Sequence, residues 1–203
     1  MSIFEAAIFC TVTGLLGVYL LAQYLNTYAA ILGVASLVSY AFIYTPLKRV
    51  SSIAVFIGAF PGAIPPLLGW VAATGEFSQV AGILFLIQFV WQFPHFWAIA
   101  WILDDDYKKA GYRLLPFKSG RSKSSAILTI ISTLVLCAIG LVPYFIGICG
   151  LIGLSVITIS SLALTYLSIK LYKSLDIKDA KSLMFASIIY NPLVLIVLLL
   201  DKI

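Results

Sequence analysis

Long uncharged runs alternate with short polar loops along almost the whole chain. Between Ala6 and Leu47 no side chain is charged, and Asn26-Thr27 is the turn signal near the middle, so this run divides into two spans. Val50 to Gly75 predicts a third span and Phe77 to Leu103 a fourth. Ser124 to Ile169 is again uncharged, and a break around Pro143 and Gly147 divides it into a fifth and a sixth. Ser182 to Leu200 supplies the seventh. Runs of this length predict helices, because the strands of a membrane barrel alternate and leave no runs of about 20 apolar residues. The expected fold is all-α: a polytopic membrane bundle of seven transmembrane helices, with residues 1–203 as one domain.

Composition agrees with that pattern and charge adds an orientation. Of 203 residues 62% are hydrophobic and 10% charged, well below the roughly 25% charged of soluble domains. The net charge of +5 and pI near 9.1 would suit nucleic acid, but the basic residues sit in loops beside spans, which is a topology signal and gives no nucleic-acid partner. Lys48 and Arg49 follow span two; Lys108, Lys109, Arg113, Lys118, Arg121 and Lys123 follow span four; Lys170, Lys173, Lys178 and Lys181 follow span six. Twelve of the thirteen thus fall on one face, leaving Lys202 opposite. The expected location is the cell's inner (cytoplasmic) membrane, N-terminus inside and C-terminus outside. Cys10, Cys137 and Cys149 lie inside apolar runs without a C-x-x-C pair and read as small packing residues. Signatures of soluble dinucleotide, nucleotide, zinc-protease and esterase sites are lacking, which moves any chemistry to the membrane boundary.

Polar side chains within spans are costly, so they are where function is sought first. Span four carries Gln88, Gln92 and the single histidine, His95, and runs into Asp104-Asp105-Asp106. On a continuous helix Gln88, Gln92, His95 and Asp106 stay near one face, with His95 and Asp106 about 16 Å apart along the axis; a kink at Pro94 would change that. His95 is either a neutral imidazole satisfied within the bundle or a functional group. Three consecutive aspartates are either a solvated helix end or a site whose mutual repulsion a divalent cation relieves, and hard carboxylate oxygens suit Mg²⁺ shared with a phosphate. Span two carries Ser36, Tyr40 and Tyr44 at i, i+4 spacing and ends at Lys48 and Arg49, an interfacial belt with basic anchors that also places cations beside a phosphorylated lipid. Span three holds Pro61, Pro65 and Pro66, which leave carbonyls without partners and place the segment inside protein or along a cavity. Gly58 and Gly62 form a small-x-x-x-small face sufficient for helix packing.

Four motifs carry a family resemblance: Tyr44-Thr45-Pro46-Leu47-Lys48-Arg49, then Gly62-Ala63-Ile64-Pro65-Pro66-Leu67-Leu68-Gly69-Trp70, then Trp91-Gln92-Phe93-Pro94-His95-Phe96, then Asp106-Tyr107-Lys108-Lys109-Ala110-Gly111-Tyr112. In this order they resemble the protoheme IX farnesyltransferase (heme O synthase) family of intramembrane prenyltransferases. The resemblance implies farnesyl diphosphate and heme B as substrates, Mg²⁺ through the diphosphate, membrane lipid as surroundings, and room for a homo-oligomer or a heme-pathway membrane partner. It implies catalytic roles for Asp105, Asp106, Lys48 and His95. Substrate binding would fall to Tyr44, Lys48, Arg49, Gln92, His95, Tyr107, Lys108 and Arg113, and metal binding to Asp104, Asp105 and Asp106, with Asp106 the first choice among them. His95 is implied to face heme.

Members of that family have nine spans and a first motif Asn-x-x-x-Asp-x-x-x-Asp, whereas neither Asn26 nor Asn191 is followed by Asp four residues on. The seven spans therefore match the family's third to ninth, and the resemblance implies an N-terminally shortened chain, inactive alone. The competing expectation is a transporter or channel with a polar path along Gln88, Gln92, His95 and Asp106 and span three as gate; a lipid-anchored scaffold is a third.

Overall fold

In the computed structural model, which describes residues 2–117 and 119–202, the chain is a run of long helices; Lys118 of the basic set lies outside the described residues. The helices are α1 (Ile3–Tyr24), α2 (Thr27–Leu47), α3 (Ala54–Thr74), α4 (Gln79–Ile102), the short α5 (Asp104–Lys109), α6 (Lys123–Phe145), α7 (Leu151–Ser174) and α8 (Ile177–Leu200). All but α5 are long and apolar enough to cross a bilayer, seven in number among the described residues. The protein is a multi-pass membrane helix bundle, as the uncharged runs predicted.

Side-chain caps set most helix starts. Asn26 accepts from Ala29 N at 2.9 Å to begin α2, while its Nδ2 donates to Val71 O at 2.8 Å and ties that turn to the end of α3. Ser78 and Ser122 cap α4 and α6 in the same way. Gly75 closes α3 at φ 78°, a left-handed position that suits glycine. The last span starts at Ile177 and not Ser182, because Asp176 caps Lys178 N at 2.9 Å and the helix carries its first charged turn into the polar boundary.

Two helices depart from the sequence expectation. Within α2, residues Ser39–Tyr44 form a π-helical segment, where Thr45 Oγ1 donates to Tyr40 O at 2.8 Å. Pro46 lies just beyond and supplies no N–H to the ordinary ladder. The fourth span stays helical through Pro94 but stops at Ile102, so His95 and Asp106 stand on separate helices. Arg121, from the following loop, ends α4: Nε donates to Trp101 O at 2.7 Å and Nη2 to Ile102 O at 3.3 Å.

The spans form two parts joined at α4. Helices α4, α6, α7 and α8 close a four-membered group, each packed on the next, around Trp101, Leu136, Ile157, Leu164, Leu183 and Tyr190. From α4 an arm of α3, α2 and α1 leads away, each helix packed on the one before. Phenylalanines zip α3 to α4, with Phe60 and Phe89 ring centroids 4.8 Å apart and Phe56 and Phe93 5.8 Å apart. The cleft between arm and group, near the face that carries the basic loops, holds the candidate site.

Candidate active site

Helices α2, α3 and α4 and the loop after α5 enclose a cavity of about 580 Å³, mostly apolar in its lining. Ser36, Tyr40 and Tyr44 enter from α2, Gly58, Pro61 and Gly62 from α3, Gln92 and Phe96 from α4, and Tyr107 and Leu114 close the basic-face end. A volume of this order suits a small-molecule pocket.

Each polar group on its wall has a local cause. Pro65 has no N–H for the carbonyl of Pro61 four residues earlier, and Ser36 Oγ donates to that carbonyl at 3.4 Å. Span three thus carries prolines where it lines a cavity, and a neighbour's hydroxyl serves the freed acceptor. Gly58 and Gly62 do more than let helices approach. A Cβ at Gly58 would lie 2.7 Å from Tyr44 ring carbons, and one at Gly62 would collide with Gln92 Oε1. The two glycines make room for side chains from the helices on either side. Gln92 itself donates through Nε2 to Ala59 O at 2.9 Å and to Gln88 O at 3.3 Å.

The mouth is cationic. Lys48 Nζ lies 5.5 Å from the Tyr44 ring centroid and 6.0 Å from that of Tyr112, so two tyrosine faces bracket it. Arg49 and Arg113 line a small pocket of about 270 Å³ with Ser51 and Gly111, and Arg113 also lines a second of about 170 Å³ with Asp104, Lys108 and Gly120. Arg121 ties the loop back to α5 through Asp105, and Ser125 Oγ, in the first turn of α6, donates to Gly120 O at 2.8 Å. Backbone geometry favours a glycine at position 120, where φ is 65°.

The three aspartates diverge, since successive helical positions turn by about 100°. Buried Asp104 accepts from Lys108 Nζ at 2.6 Å, Asp105 from Arg121 Nη1 at 2.9 Å, and exposed Asp106 lies 3.7 Å from Lys109. Among the described residues no three acidic, histidine or cysteine side chains converge on one point. Repulsion between neighbours is relieved here by three cations of the chain itself. One or two of these carboxylates could serve a divalent ion such as Mg²⁺ that fills its other positions with oxygens it brings with it, the coordination such an ion ordinarily takes.

His95 faces a different partner. Its Nδ1 is 2.9 Å from Ser187 Oγ on α8, and its ring stacks on Trp91 at 4.7 Å and 14°. Ser187 Oγ also lies 2.6 Å from Met184 O, an acceptor for its single proton; with the proton there, His95 Nδ1–H donates to Ser187 and Nε2 keeps its lone pair. Gln92 turns to α3, His95 to α8 and Asp106 to the basic face, so Gln88, Gln92, His95 and Asp106 do not form one stripe. Arg121 and Ser187 were not singled out from the sequence. One acts from the loop and the other from a helix 92 residues beyond His95, with no local motif to mark either.

The model of the UbiA prenyltransferase family matches residues 1–189. A protein of Cytophaga hutchinsonii named protoheme IX farnesyltransferase is 51% identical over 187 residues, which are 92% of this chain and 65% of that protein. One of the same name from Flavobacterium psychrophilum is 46% identical, covering 98% of this chain and 66% of that protein. The chain therefore spans just under two thirds of the length of these curated relatives. A solved structure described as digeranylgeranylglyceryl phosphate synthase superposes with a TM-score of 0.82 at 23% identity, covering 99% of this chain and 70% of that one, and shares the fold. By sequence along nearly its whole length, the chain belongs to the UbiA prenyltransferase family.

Proposed function

We propose that the chain carries the transferase site of a protoheme IX farnesyltransferase, moving a farnesyl group from farnesyl diphosphate to a vinyl group of heme B to give heme O. The observation that carries the reading is an apolar cavity lined at its basic-face end by Tyr44 and Tyr107, with Lys48 against the Tyr44 ring and with Arg49, Arg113 and Lys108 lining two small polar pockets in the adjoining loops. It matches a substrate with a long hydrocarbon tail and a polyanionic head. The names of the relatives point to transfer of a farnesyl group to protoheme IX. The basic face is cytoplasmic in this reading, and the membrane is the inner one.

The diphosphate lies among the mouth cations, and Lys48, Arg49, Lys108 and Arg113 stabilise the negative charge that develops on it as it leaves. Asp104, Asp105 and Asp106 are the carboxylates that would hold an Mg²⁺ ion brought in on the diphosphate, and the ion would supply further neutralisation of that charge. Tyr44 and Tyr107 seal the boundary between head and tail, and the apolar wall keeps bulk water from the allylic cation. The vinyl group attacks that cation, and one water completes the hydroxyethylfarnesyl side chain. His95 offers Nε2 to heme iron or to positioning of the porphyrin, its ring fixed by Ser187 and Trp91. A polar transport path is not favoured, because Gln92, His95 and Asp106 face three different neighbours.

The test is conversion of heme B by the full-length gene product in proteoliposomes supplied with farnesyl diphosphate and Mg²⁺. Heme O is the expected product, and Lys48→Ala raises KM for the diphosphate roughly 10- to 100-fold, the usual cost of a charge-assisted hydrogen bond. Absence of any farnesylated porphyrin, with folded protein and both substrates present, would overturn the assignment.

A further inference from the structure

We infer that Gln92 holds the water molecule consumed in the reaction, a deeper statement about the same cavity that rests on the farnesyl transfer proposed above. Gln92 is 2% exposed and forms part of the cavity wall. Its Nε2 is committed to two carbonyl oxygens, Ala59 O and Gln88 O. Turning the amide over would set oxygen against oxygen, so the orientation is fixed and Oε1 is the end left free. That oxygen lies against Gly62, itself a lining residue, in space that any side chain there would fill. Among the described residues no donor is directed at it, and unlike Gln88 Oε1 it is not sealed. A carbonyl oxygen held this way in an apolar wall calls for a donor.

The substrates narrow the choice. An isoprenoid chain has no donor, and neither has the vinyl edge of an iron porphyrin. Water is the remaining reactant with an O–H to give. In the reaction the C1–O bond of farnesyl diphosphate breaks and its electron pair leaves with the diphosphate. The vinyl π pair then forms the new bond to C1, which leaves a cation on the carbon next to the pyrrole ring. A water whose O–H is held by Gln92 Oε1 presents a lone pair to that cation, forms the C–O bond and gives its proton to the departed diphosphate. Positive charge grows on the water oxygen during this step, so its hydrogen bond to Oε1 strengthens toward the transition state. Without a water in place the same cation loses a neighbouring proton to the diphosphate and ends as an alkene.

The experiment is product analysis by mass spectrometry of the full-length protein given heme B, farnesyl diphosphate and Mg²⁺. For Gln92→Leu the ratio of hydroxylated to dehydrated farnesyl porphyrin falls roughly tenfold, the worth of one hydrogen bond, while total transfer falls less. Gly62→Ala keeps the glutamine but displaces Oε1, and shifts the ratio the same way; it decides the matter if Gln92→Leu misfolds. A wild-type ratio in both variants overturns the inference. So does equal loss of both products with heme binding retained, which would make Gln92 a substrate-binding residue. Failure of the wild-type protein to farnesylate porphyrin at all sinks the parent reading, and this one with it.

Discussion

Gly58 and Gly62 sit one turn apart on α3, and each is opposed by one cavity-lining side chain. Small-x-x-x-small spacing is visible in the sequence, and close helix packing is its usual meaning in membranes. Here the missing side chains admit Tyr44 on one side and Gln92 on the other. The distinction has a measurable consequence. In Gly58→Ala the new methyl group meets an aromatic ring that cannot fold away, so Tyr44 moves toward the cavity. We expect a stability loss of about 1–3 kcal/mol, the range for overpacking, with a several-fold rise in KM for the prenyl diphosphate and little change in heme binding. Gly69→Ala is the control on the same helix, since a Cβ there meets nothing within 4 Å. Equal effects of the two substitutions would show that helix packing alone explains the glycines.

At the scale of elements, the first helix pair was legible because an uncharged run twice the bilayer's thickness has to turn, and Asn26 is both the turn signal and the cap of α2. The helix phase was less legible. The i, i+4 stripe Ser36-Tyr40-Tyr44 does line one cavity, yet it does so through a π-helical segment that the spacing alone does not disclose. The end of α4 was not legible at all, since the group that stops it at Ile102 is the guanidinium of Arg121, nineteen residues on. The same long-range logic governs α7. Its N-cap position is Gly150, which has no side chain to offer, and Asp201 from the end of α8 supplies what is missing: Oδ2 accepts from Gly153 N at 2.6 Å and the backbone oxygen from Gly150 N at 3.0 Å. Asp201→Ala should therefore cost about 1–2 kcal/mol, as for loss of an N-cap. Thermal unfolding in detergent would show it as a fall of several degrees, with Asp201→Asn much closer to wild type. No difference between the two variants would mean that the backbone bond alone holds the joint.

At the scale of the whole molecule, the charge asymmetry is a statement about sidedness that can be read with native cysteines left in place. Cys10 and Cys137 lie within spans. Cys149, in the turn between α6 and α7, is buried, and burial together with the nearby Asp201 carboxylate pushes its thiol pKa up, so little thiolate forms near neutral pH. The sign is simple: the thiolate fraction of Cys149 grows only as pH rises above the ordinary thiol range, and labelling at neutral pH leaves it silent. Two exposed reporter positions then separate the faces. Lys109→Cys lies beside the mouth on the end of α5, and Glu76→Cys lies in the turn between α3 and α4 at the opposite ends of those helices. In sealed, right-side-out vesicles a membrane-impermeant maleimide should label Glu76→Cys at once and Lys109→Cys only after the vesicles are opened. The reverse order would place the cationic mouth outside the cell, against the orientation that the charge asymmetry predicts. Because α4 alone connects the two positions across the bilayer, labelling of both from one side would remove α4 as a transmembrane span and with it the seven-helix arrangement that builds the cavity.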